Sequence, residues 1–182
     1  MGRFEEHRGP RVRLVSIALA AAASNALASD APAGAPSTLA ARARLQDVES
    51  NDAVRKALLG AHERLGDPAC RRIFTDFTSI DGRRLDEVLA EHGETGQGFL
   101  SLLFFYDASR RLACGDGARF AFTKPYSRVI FVCGRRFRQK REWNPAASEA
   151  LIIHELLHAL GLGEDPPTSE AITAQVLERC GS

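Results

Sequence analysis

The stretch from Ala150 to Leu160 holds three polar side chains, His154, Glu155 and His158, and is otherwise apolar. Asn144-Pro145 ahead of it offers a cap and a first-turn proline, and Gly161 and Gly163 offer a stop. This punctuation predicts one helix from Pro145 to about Leu160. A helix apolar nearly all the way round has no face to give to water, so other elements must pack on every side of it. The polar residues inside it must also find partners, because burying them unpaired is costly.

His154 and His158 lie one turn apart on the same helix face, so their ring nitrogens can converge on one ion. Zinc takes imidazole nitrogen at about 2.0–2.1 Å, which such a pair can supply. Glu155 points to one side, badly placed as a ligand but well placed to hold a water near the metal. The other histidines fit less well. His7 lies in the extreme N-terminal segment, His62 sits beside Glu63 and Arg64 on a helix face, and His92 sits in a Gly/Glu loop. His7 goes with the signal segment, and His62 and His92 each read as a solvated residue.

Residues 1–28 read as a secretory signal. Arg3, Arg8, Arg11 and Arg13 precede an apolar run from Leu14 to Ala23, and Ala26-Leu27-Ala28 supplies small residues for cleavage. The run is short for a bilayer span, and no cysteine near the junction would carry a lipid anchor. Residues 29–38, rich in Ala, Pro and Ser, read as a flexible linker. Residues 39–182 then form a single domain. Its charge is nearly balanced, and the formal +1 of the whole chain gives no footing for nucleic acid. Export makes two disulfides the default for Cys70, Cys114, Cys133 and Cys180. Cys114 and Cys133 each border a strand-like run with a short loop between them, which favours that pairing and leaves Cys70 with Cys180.

Along the domain, apolar residues recur at helical spacing from Leu39 to Leu65, with Asn51 and Asp52 as a break and new cap. Asp67-Pro68 starts another helix, and Leu85, Val88 and Leu89 mark a short one. Phe99–Tyr106, Arg119–Thr123 and Val129–Cys133 then read as three strands of a largely antiparallel sheet. Arg135–Arg141 reads as a solvated basic loop, with a face towards an acidic substrate as the alternative, and a last helix runs from about Ser169 to Cys180. Helices, a compact sheet, the His-containing helix and a final helix together define an α+β domain.

That order, with His154-Glu155-Leu156-Leu157-His158 on the helix after the sheet, resembles the zincin metallopeptidases in a small, secreted, bacterial-type form. The resemblance implies a metal-binding helix packed on a small sheet whose edge strand lines the substrate groove. It also implies a secreted or periplasmic zinc endopeptidase with one Zn2+ per chain. Its metal ligands would be His154, His158 and an acidic residue, and Glu155 would be the general base that activates water. Tyr106 and Tyr126 are the tyrosines available to donate to a developing oxyanion.

Four carboxylates compete for the third ligand: Glu164, Asp165, Glu170 and Glu178. His154-Glu155-x-x-His158-x-x-Gly161-x-x-Glu164 resembles the metzincin pattern, in which a glycine turns the chain back. Position 164 is Glu rather than that family's usual His or Asp, and Met1, the only methionine, cannot form the family's methionine turn. Glu178 matches a gluzincin-like spacing, but on its helix it points away from the apolar face of Ile172, Val176 and Cys180. Glu164 is therefore the favoured third ligand. The expected partners are protein or peptide substrates, with a monomeric chain and no stable membrane insertion after signal cleavage. The alternatives are a non-catalytic zinc-binding envelope protein and an exported structural domain in which the motif is accidental.

Overall fold

The structure is a computed structural model that describes residues 1, 35–40, 42–115, 117 and 119–181. Apart from Met1, the signal-peptide reading and most of the linker reading fall on residues outside this set. The first half runs α1 (Ala35–Ala40), β1 (Ala43–Arg44), α2 (Val48–Arg64), α3 (Pro68–Arg71), α4 (Ile73–Asp76), α5 (Leu85–Glu91) and α6 (Gly96–Leu100). It continues through β2 (Phe104–Asp107), a 3-10 turn (Leu112–Cys114), β3 (Ala121–Phe122), β4 (Val129–Val132), α7 (Gly134–Trp143), α8 (Pro145–Ala159) and α9 (Ser169–Cys180). Pro32–Ser182 make one compact unit, an α+β domain.

Helix α8 is the centre of that unit. It packs against α2, α7, α9 and β3, which accounts for the absence of a polar face. Ile152, Ile153, Leu156 and Leu157 are fully buried along it, and the two histidines and Glu155 are buried with them. Asn144 caps the helix, its side chain accepting from the Ala147 N–H at 2.9 Å, with Pro145 in the first turn. Gly161 ends it at a φ of 107°, a conformation that disfavours any residue with a Cβ.

The sheet departs from the antiparallel expectation. Its order is β1-β2-β4-β3, with β1–β2 and β2–β4 parallel and only β3–β4 antiparallel. The tight turn at Lys124–Ser127 makes β3–β4 a hairpin, but the long segment between β2 and β4 allows a crossover that brings them side by side in parallel. The run Phe99–Tyr106 is not one strand. The Thr95 side chain accepts from the Gly98 N–H and starts helix α6, so only Phe104 onward is extended. A continuous apolar run does not distinguish a buried strand from a buried helix turn, and here the cap decides.

Three further readings are corrected. Asp47, not Asn51 or Asp52, caps α2, because its carboxylate accepts from the Ser50 N–H at 2.8 Å; the other two lie inside the helix. The end of the segment read as linker is helical in α1, where Leu39 is buried in the core. The basic segment Arg135–Arg141 is helix α7, held by a fully buried Phe137.

Charge is also used inside the fold. Glu149, near the start of α8, accepts from Arg64 Nε of α2 and Arg141 Nη1 of α7, each at 2.8 Å. Gly60 of α2 makes room for it: a Cβ there would stand 2.4 Å from the Glu149 carboxyl carbon. Both disulfides follow the expected pairing, Cys70–Cys180 and Cys114–Cys133. Cys70–Cys180 closes a sequence separation of 110 residues and ties α3 to the end of α9. Replacing both of its cysteines by Ser should lower unfolding free energy by about 2–4 kcal/mol. Denaturant titration checks this, and a midpoint shared with the unmodified chain would contradict it.

Candidate metal centre

His154 and His158 point their Nε2 atoms at each other, 2.9 Å apart. Glu164 completes a triangle, with Oε1 3.6 Å from His154 Nε2 and 3.3 Å from His158 Nε2. Two donors held by zinc at about 2.0–2.1 Å in tetrahedral geometry lie about 3.3–3.4 Å apart. The three observed edges straddle that value, so the donor set fits one small tetrahedral ion with one position left open. Among the described residues this trio is the group that could hold a metal. Asp165, Glu170 and Glu178 do not belong to it.

Local structure explains why Glu164 is the carboxylate that arrives. The positive φ of Gly161 turns the chain back over the end of α8. Tyr126 packs on that turn, its ring only 2.3 Å from where a Gly161 Cβ would be, and its N–H donates to the His158 carbonyl at 3.1 Å. Ile80 N–H donates to the Gly161 carbonyl at 2.8 Å from the other side. The loop is thus held at both flanks three residues before Glu164.

Contacts beyond the trio set the tautomers. His158 Nδ1 lies 2.8 Å from the Leu162 carbonyl, which can only accept; Nδ1 therefore carries the proton and Nε2 presents its lone pair. His154 Nδ1 lies 3.0 Å from the Thr173 hydroxyl on α9, which can accept in the same sense. Such backing raises the basicity of a metal-ligating ring and fixes its orientation. Neither Thr173 nor the Leu162 carbonyl was singled out from the sequence. The available signal was Thr173 beside Ile172 and one turn before Val176, at the margin of α9's buried face.

Electrostatics favour the ligand forms. Burial pushes the His154 imidazole down to about 4, and the nearby His158 charge adds to this, so the ring is neutral at pH 7. Burial works against the charged form of Glu164, but a hydrogen bond from Ser169 and the two histidines together hold its carboxyl below the ordinary range. Glu155 behaves in the opposite way. It is 4% exposed, its Oε2 has no hydrogen-bond partner, and burial, with Glu164 adding to it, pushes its carboxyl up to about 8. An orphaned buried carboxylate oxygen beside a convergent donor set is the kind of exception that calls for a functional explanation.

The centre opens into a cleft of about 600 Å³. One wall is the segment 119–125 carrying β3; the other is built by α8, Glu164 and the start of α9, with Ser169, Glu170 and Thr173. β3 is the sheet edge. Cys133 N–H donates to the Phe120 carbonyl at 2.9 Å, so by alternation Ala121, opposite Val132, is the unbonded position. Its N–H and C=O point away from β4 at an edge that no strand among the described residues pairs with, where an extended chain could add. Neither tyrosine considered as an oxyanion donor lines this cleft. Tyr106 lies on the outer sheet face, and the Tyr126 hydroxyl donates to Asp81.

Comparison with family models, with curated proteins and with solved structures found no match to this chain. No described helix is long and apolar enough to cross a membrane.

Proposed function

We propose that the chain is an exported zinc-dependent endopeptidase of the zincin type. The observation that carries this reading is the triangle of His154 Nε2, His158 Nε2 and Glu164 Oε1 beside the unpartnered Oε2 of Glu155. Two disulfides accord with an oxidising compartment, secreted or periplasmic.

His154, His158 and Glu164 would hold the ion, and bound zinc supplies a Lewis acid that brings the pKa of a water towards about 7 and polarises a carbonyl. The chain's own residues supply the rest. Thr173 and the Leu162 carbonyl hold the two rings so that both Nε2 atoms face the cleft. Glu155, brought back to its carboxylate form by the positive charge of an ion held beside it, takes a proton from the attacking water and later delivers it to the leaving amine. The open edge at Ala121 aligns an extended peptide by backbone hydrogen bonds, placing one peptide bond over the centre.

The test is zinc affinity. Glu164→Ala should weaken zinc binding by more than about 100-fold, beyond what loss of a supporting contact costs. Glu170→Ala and Glu178→Ala should change it little. Competition with a chromophoric chelator measures all three, and equal affinity in Glu164→Ala would remove Glu164 from the ligand set.

A further inference from the structure

Charge is segregated along this chain. Arg110 to Arg141 contains ten basic residues and a single acid, whereas Glu142 to Ser182 contains seven acids and a single base. The fold sets these two segments face to face across the cleft, with β3 from the basic one and α8, Glu164 and α9 from the acidic one.

The basic residues divide by direction. On α7, Arg138 pairs with Glu49 and Glu142, and Arg141 pairs with Glu149, all away from the cleft. On the cleft side the pattern is different. Arg119 and Lys124 line the cleft at the two ends of the β3 segment. Lys140 Nζ stands 5.4 Å from the centre of the Phe120 ring, which also lines it, and Arg136 Nη1 reaches the Arg119 carbonyl at 3.5 Å. Among the described residues no carboxylate forms an ion pair with any of these four. The acids opposite do not supply one. Glu155 is buried, Glu164 faces the histidines, and Glu170 lines the far wall without reaching across.

We infer that the cleft selects acidic peptides, with Arg119 and Lys124 as the specificity-determining residues and Arg136 and Lys140 reinforcing the Arg119 end. This rests on the reading of the cleft as a peptide-binding site. An extended chain added at Ala121 advances about 3.3 Å per residue. It therefore passes a cation two or three residues to either side of the paired position. Aspartate or glutamate at those places meets an unpaired cation, and lysine or arginine meets a like charge. Opposed charges at a partly enclosed edge also speed encounter, in a way that salt suppresses.

The experiment separates binding from hydrolysis. Zinc-loaded Glu155→Gln full chain is titrated by fluorescence anisotropy with two labelled peptides of identical central sequence. One carries glutamate, and the other lysine, two and three residues to either side of the centre. The acidic peptide should bind about tenfold tighter at low salt, and the difference should collapse at 0.5 M NaCl, an ionic strength on the order of several times physiological. Arg119→Gln with Lys124→Gln should abolish the preference, and Arg119→Lys with Lys124→Arg should restore it. Both positions are exposed, so folding is checked simply by an unchanged melting curve. Equal affinities, a preference for the basic peptide, a preference that survives the double Gln variant, or no binding of either peptide would each overturn the inference. If the unmodified chain binds the acidic peptide in this way but never cleaves it, the inference stands and the hydrolytic reading fails.

Discussion

Glu155→Gln should still bind one zinc ion per chain while peptide hydrolysis falls by about 10²–10⁴-fold. The amide keeps the shape of the buried side chain but cannot accept and return a proton. Glu155 is not one of the three convergent donors, so its replacement leaves His154, His158 and Glu164 in place. His158→Ala provides the contrast, because it removes one edge of the triangle and should lose both metal and turnover. Elemental analysis beside a peptide-cleavage assay distinguishes the two. Loss of zinc in Glu155→Gln would make that residue a ligand or a structural group, and undiminished zinc in His158→Ala would end the case for this centre.

Glu149→Ala should destabilise the fold by about 3–5 kcal/mol, without touching the metal triangle. Glu149 is 9% exposed and is the one carboxylate shared by the Arg64 and Arg141 guanidiniums, so its removal leaves two partly buried cations without that acceptor. It also joins the central helix α8 to α2 and α7, two of the elements that enclose it. For a unit of this size the melting temperature should fall by about 6–20 °C. Glu149→Gln, which keeps the volume and can still accept hydrogen bonds, should fall between the alanine variant and the unmodified chain. A loss below about 1 kcal/mol in Glu149→Ala would mean that the pair acts as an ordinary surface ion pair.

What could be read directly from the chain was local. The helix Pro145–Ala159, its Asn144 cap, its glycine stop, the one-turn spacing of the histidines and the final helix depend on residues within a few positions of one another. Cysteine pairing was also accessible, because four thiols allow few solutions and two of them bordered neighbouring strand-like runs.

The rest required distant parts of the chain to meet. The sheet is mostly parallel because β2 and β4 come together over a long connection, which no short-range pattern encodes. Arg135–Arg141 has the composition of a solvated loop, yet one buried residue, Phe137, and pairing to Glu49 and Glu149 make it a helix. Sequence narrowed the third donor to four carboxylates and favoured Glu164. The turn that brings Glu164 Oε1 to 3.3 Å from His158 is held by Tyr126 and Ile80, from two other segments. The backing of His154 by Thr173 depends on how α9 lies against α8. Sequence by itself thus singled out the side chains of the candidate centre and the helix that presents them, because periodicity and capping act within a few turns. Tertiary structure decided which carboxylate closes the triangle, which hydroxyl orients the ring and which charges face the cleft, because those depend on contacts between segments far apart in the chain.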